Sequence, residues 1–160
     1  MISTAADKSH YYIEHPEWFG KIKLENGELN IRNWSDETML TTWFDSFLPS
    51  LDYENNDDAI NQVVDDAIYW VREFGFDGFR QDATKHVPHK FWKNLRYKLD
   101  ENFPNKKFFQ IGETFGSDNL ILSYVNPGEL DSQFNFSNYF GLREFIVSGS
   151  TNPNKIINKI

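Results

Sequence analysis

The stretch DDAINQVVDDAIYWVREFG, beginning at Asp57, constrains the fold more than any other part of the chain. Ile60, Val63, Val64, Ala67, Ile68, Val71 and Phe74 recur at helical spacing, so one helix face is apolar and needs a partner. Asp57 and Asp58 stand where a helix N-terminus favours negative charge, and Gly75 suits its end. GFDGFRQDA then reads as a short strand. Pro88 opens a second helix over HKFWKNLRYKLDENF, and Pro104 closes it. KKFFQIGE reads as a second strand. After a loop, LDSQFNF reads as a third, followed by a helix over SNYFGLREFIVSG. Alternating strands and helices predict an α/β fold with parallel strands and helical crossovers. Such sheets present ligands at the C-terminal ends of their strands.

Residues 1–56 lack this rhythm. They are irregular and rich in aromatic and polar residues, with a short hairpin signal at Asn26-Gly27 and little core of their own. Across the 160 residues, 17% are aromatic, more flat apolar surface than a small core needs, so some rings are free to face a ligand. Trp70 and Trp92, both in helices, are expected in the core; Trp18, Phe19 and Trp34 are open between core and ligand platform. Lys90, Lys93 and Lys98 read as a solvated helix face. The net charge of −8 argues against nucleic-acid binding, which draws its affinity from Lys and Arg on phosphates. No apolar run approaches the roughly 18 residues of a membrane span. MISTAADKSH lacks the apolar stretch of a signal peptide, and the absence of cysteine fits any compartment, so location stays open. No nucleotide-binding glycine motif accompanies a strand-to-helix turn.

Side chains alternate along a strand, so Gly78, Arg80 and Asp82 share one face, and Phe109, Ile111 and Glu113 share one on the next. Asp82 and Glu113 then stand at neighbouring strand ends, one strand–helix repeat apart. The Arg80 guanidinium beside Asp82 favours its ionised form. Two carboxyl groups in different surroundings are what glycoside cleavage requires, one as nucleophile and one as proton donor. Polar residues at strand ends are also common, and spacing alone leaves both readings open.

The motifs go further. GFDGFRQDATKH resembles the strand-four motif of the α-amylase family of glycoside hydrolases, FFQIGETF resembles its strand-five motif, and FLPSLDYEN is similar to the segment that precedes strand four. They occur in the family's order, and the likeness is clear over residues 47–145. The resemblance implies a (β/α)8 barrel, of which this chain holds strands like the fourth to sixth. Residues 1–46 would form part of a small inserted domain, and residues 47–160 part of the catalytic barrel. It implies Asp82 as nucleophile, Glu113 as general acid/base and Arg80 as the arginine that holds the nucleophile. Lys85 and His86 would contact sugars on the leaving-group side, and Phe115 occupies a position where an aromatic can stack on a sugar. The implied substrate is a starch-like α-1,4-glucan.

The sequence also departs from the family pattern. Such barrels need about 250 residues. The early motif ending in Asn-His and the strand-seven motif with the third carboxylate have no counterpart, and Asp131 lacks the surroundings to replace the latter. The expectation is an internal piece of a larger enzyme, inactive alone. A transglycosylase of the family, or a carbohydrate-binding or regulatory module without turnover, are the alternatives. Family members often bind calcium through an aspartate at the position of Ser50, and a hydroxyl is a poor substitute around a hard dication. His86, His89 and Asp82 do not form a metal motif, because Pro88 breaks the helix that would align them. An open sheet exposes unpaired edges, and Phe79, Phe109, Ile111 and LDSQFNF are expected to add apolar surface on the face that a closed barrel would bury. Self-association of the isolated chain follows.

Overall fold

In a computed structural model the described residues are 10–147. The N-terminal part carries a short helix α1 (His10–Glu14) and a 3-10 turn (Pro16–Trp18). Helix α2 (Asp57–Phe74) leads into strand β1 (Gly78–Gln81), and helix α3 (His89–Asn102) leads into β2 (Phe109–Gly112). A short helix α4 (Asp118–Ser123) lies in the expected loop, before β3 (Ser132–Gln133) and helix α5 (Phe136–Ile146). The three strands form a parallel sheet in the order β1-β2-β3, with Gly78 opposite Phe109, Arg80 opposite Ile111 and Ile111 opposite Ser132. The third strand is only two residues long, shorter than its sequence run suggests.

Helix α2 buries Ala59, Ile60, Val63, Val64, Ile68 and Val71, the stripe that its spacing marks. It ends at Gly75, whose left-handed backbone (φ 71°) turns its N–H onto the Val71 carbonyl at 2.9 Å. Helix α3 packs beside it and buries Phe91, Trp92, Leu95 and Leu99. Each such side chain contributes roughly 1.5–3 kcal/mol by leaving water. Leu99 is fully buried, so Leu99→Ala would cost about 2–5 kcal/mol.

Several expectations need correction. Trp92 is fully buried, but Trp70 is 46% exposed. It falls beside the apolar stripe and stacks on Phe74 and Phe76 instead. Phe74, at the end of the stripe, is exposed too. Phe79 is not on the face shared by Arg80: strand alternation turns it toward the helices, where it packs against the core. Lys90 is no idle solvated charge, since its Nζ donates to the Glu54 carbonyl (2.8 Å) and to Asp57 (2.9 Å), tying α3 to the start of α2.

The N-terminal part adds its rings to the same core. Trp18, Phe19, Leu51 and Tyr53 are buried with the α2 and α3 side chains. Its backbone makes isolated bridges, Phe19 to Leu51 and Lys23 to Leu29 among them, the latter closing the hairpin around Asn26-Gly27. The Tyr11 hydroxyl donates to Asp66 on α2 at 2.5 Å; burial, then that carboxylate, push it up to about 12.

Candidate active site

Strand β1 delivers Arg80 to the solvent side of the sheet and hands the chain to Asp82. Ala83 then takes a left-handed conformation (φ 46°, ψ 46°), uncommon for a residue with a Cβ and costing roughly 1–3 kcal/mol. The kink turns the backbone off the strand into a 3-10 turn (Thr84–His86) and carries Thr84 back under β2. The Thr84 N–H donates to the Glu113 carbonyl at 2.9 Å, and the Glu113 N–H donates to the Gln81 carbonyl at 2.9 Å. The parallel ladder thus extends past both strands and sets Glu113 beside Asp82.

One guanidinium joins the two carboxylates. Arg80 donates through Nη1 to Asp82 Oδ1 and through Nη2 to Glu113 Oε2. Both acids therefore emerge on the same side of the sheet. The pair with Asp82 matches the sequence reading, whereas the bond to Glu113 has no signal in the local sequence. The side chains of Arg80 and Asp82 are each 45% exposed and that of Glu113 is 32% exposed, open to a ligand from solvent. Arg80 also lies over the Phe134 ring, 5.8 Å from its centroid.

The remaining candidates sit on the segments that follow Asp82 and Glu113. Lys85 Nζ donates to the Phe115 carbonyl at 2.8 Å, linking the turn after β1 to the loop after β2. Phe115 is exposed, its ring edge-on to Phe136 and Phe140. His86 Nδ1 lies 3.2 Å from the Met39 carbonyl, which can only accept, so this nitrogen carries the proton. Neutral His86 then offers Nε2 as an acceptor. Burial pushes its pKa below the usual value; the Met39 bond opposes this and Lys85 adds to it. The ring touches Trp34 (4.6 Å) and Phe44 (5.1 Å), which brings the N-terminal part to the site. Of the three rings left open by sequence, Trp18 and Phe19 are core and Trp34 stays 44% exposed beside His86.

Asp131 takes no place at the site. Its Oδ2 accepts from Arg96 and from the Gln110 N–H (2.7 Å), so it anchors α3 to the sheet. His89 turns away to Glu129 at 2.7 Å. Ser50 is buried, and its hydroxyl donates to the Thr42 carbonyl at 2.7 Å. The neighbouring carboxylate of Asp52 is engaged by Asn55. A neutral hydroxyl spent as a donor does not fit a dication at that position.

The family model described as alpha amylase, catalytic domain, matches residues 3–155. Alpha-amylase 2 of Dictyoglomus thermophilum is 28% identical over 142 residues, covering 87% of this chain and 24% of the relative. The crystal structure of an Anoxybacillus alpha-amylase superposes with a TM-score of 0.73 at 26% identity, over 94% of this chain and 32% of that one. An alpha-amylase from Geobacillus thermoleovorans, solved in complex with acarbose, gives 0.66 at 28% identity, over 86% and 29%. The chain thus spans about a quarter to a third of the length of these relatives. With the parallel sheet, the paired carboxylates and this match over nearly its whole length, the chain belongs to the alpha-amylase family of glycoside hydrolases and forms part of that family's (β/α)8 catalytic barrel.

Proposed function

We propose that this chain supplies the nucleophile and the acid/base of a retaining hydrolase that cleaves α-1,4 bonds in starch-like glucans. The observation that carries the reading is the single Arg80 guanidinium shared by Asp82 and Glu113 at the ends of adjacent parallel strands. In the first step a carboxylate oxygen of Asp82 attacks the anomeric carbon while Glu113 gives its proton to the departing glycosidic oxygen. In the second, Glu113 takes a proton from water, which attacks the same carbon and releases Asp82. Arg80 holds the Asp82 carboxylate and the Glu113 carboxyl in place beside each other. Lys85 and His86 bind the sugar on the leaving-group side, His86 accepting from a sugar hydroxyl through Nε2, and Phe115 offers an exposed ring on which a sugar can stack. A solved relative is described as complexed with acarbose, which supports a ligand of that class here. Residues 1–46 act as part of the inserted small domain, and residues 47–160 as the barrel portion.

The test uses the complete barrel enzyme. A Glu113→Gln variant should still form a covalent intermediate with a glycosyl fluoride, because fluoride leaves without proton donation, and should hydrolyse it slowly. Peptide mass mapping should find the sugar on Asp82. A label on any other residue, or none, would overturn the roles.

A further inference from the structure

The two carboxylates are held by more than Arg80. Thr84 has no exposed surface, and its hydroxyl lies between the two strand ends. It donates to the Gln81 carbonyl at 3.1 Å and accepts from the Glu113 N–H at 3.0 Å. The Thr84 N–H donates in turn to the Glu113 carbonyl at 2.9 Å. One residue therefore grips both sides of the Glu113 main chain and also the last residue of β1. The surroundings make room for it. A Cβ on Gly112 would come within 2.7 Å of Thr84 Oγ1, so the glycine leaves the hydroxyl its position. The left-handed Ala83 aims it there.

We infer that Thr84 is a positioning residue that sets the Glu113 carboxyl at its working distance from Asp82, acting through the Glu113 main chain. This rests on the assignment of Asp82 and Glu113 as nucleophile and acid/base. Thr84 does not touch substrate. Its hydroxyl removes freedom from the strand end that bears the proton donor, and proton transfer depends steeply on such placement. Loss of the hydroxyl should therefore weaken proton donation more than nucleophilic attack.

The experiment compares Thr84→Val, Thr84→Ala and Thr84→Ser with the parent in the complete enzyme. Each is assayed on maltooligosaccharides, whose leaving oxygen needs a proton, and on a glycosyl fluoride, which does not. Thr84→Val should lower kcat/KM on maltooligosaccharides about tenfold, a fraction of the full acid/base contribution, and change it less than about twofold on the fluoride. The limb of the pH profile that reports Glu113 should shift, and Thr84→Ser should restore parent behaviour within about twofold. Thr84→Ala inserts no methyl group in place of the hydroxyl and keeps the comparison available if the valine variant misfolds. Equal losses on both substrates, an unmoved pH limb, or no rescue by serine would overturn the proposal. Glu113→Gln runs alongside as a control. If that variant keeps parent activity on maltooligosaccharides, the assignment of Glu113 itself fails, which is a different result.

Discussion

The sheet with its two helices and the N-terminal part from residue 10 to 56 contribute side chains to one core, yet their backbones are held by different means. In the first, parallel ladders and helix turns satisfy most of the main chain, and a few side chains such as Thr84 and Asp131 finish the strand ends. In the second, isolated bridges and turns hold the main chain, and side chains fasten it further. The Trp43 indole N–H donates to the Gly20 carbonyl at 2.6 Å, Asn30 donates to the carbonyls of Lys21 and Thr41, and Arg32 donates to that of Phe44. Ladder bonds are generic and tolerate substitution of their side chains. A loop anchored by particular side chains depends on each of them. The sheet therefore rests mainly on its ladder, with particular side chains needed at the strand ends, while the N-terminal part reaches His86 through contacts that single substitutions break.

The largest expected effect falls on the sheet. In the complete enzyme, Asp82→Asn or Glu113→Gln should each lower kcat on maltooligosaccharides by on the order of 10³–10⁴-fold, with the fold intact by circular dichroism. Residual activity within tenfold of the parent would show that the strand ends do not carry the chemistry.

The next effect tests the anchored part. Trp43 is buried and holds Gly20, so Trp43→Ala should cost about 3–5 kcal/mol. The loss should be local: limited proteolysis should cut within residues 20–50 while α2, α3 and the sheet stay protected. Uniform loss of protection would mean that the two regions form one cooperative unit.

A third, smaller effect concerns what the open sheet leaves bare. Phe109 is 55% exposed on the face that bears Arg80, and Tyr69, Trp70, Phe74 and Phe76 are exposed along and after α2. The isolated chain should associate as concentration rises. Phe109→Ser should weaken association roughly tenfold, the equivalent of burying part of one aromatic ring. Sedimentation showing a monomer at all concentrations would refute this.

The smallest expected effect lies where the two regions meet, at His86. Its pKa in the folded chain is below the ordinary value of about 6.5 because the ring is partly buried. Between those two values the unfolded chain binds more protons, so stability rises with pH across that window. The contribution is complete above about pH 6.5 and is lost as pH falls through the folded value. His86→Gln should flatten the dependence of Tm on pH just below about pH 6.5. An unchanged slope would show that burial of His86 is not coupled to folding.

Much of this protein was legible in the sequence because periodicity reports a residue's relation to solvent. The stripe from Ile60 to Val71, the stop at Gly75 and the shared face of Arg80 and Asp82 are set by local geometry: helical repeat, left-handed cap and strand alternation. The motifs around Asp82 and around Glu113 pointed to the family because the residues within each are close in sequence. Other features depend on which distant groups the fold brings together. Trp70 looks like core by type, but it lies beside the buried stripe. The bond from Arg80 to Glu113, the grip of Thr84 on the Glu113 main chain, and Trp34 against His86 join residues far apart in the chain. Local pattern determined which side chains face which way; only the tertiary structure decided which of them meet, because a contact between separated segments depends on the path of all the chain between them.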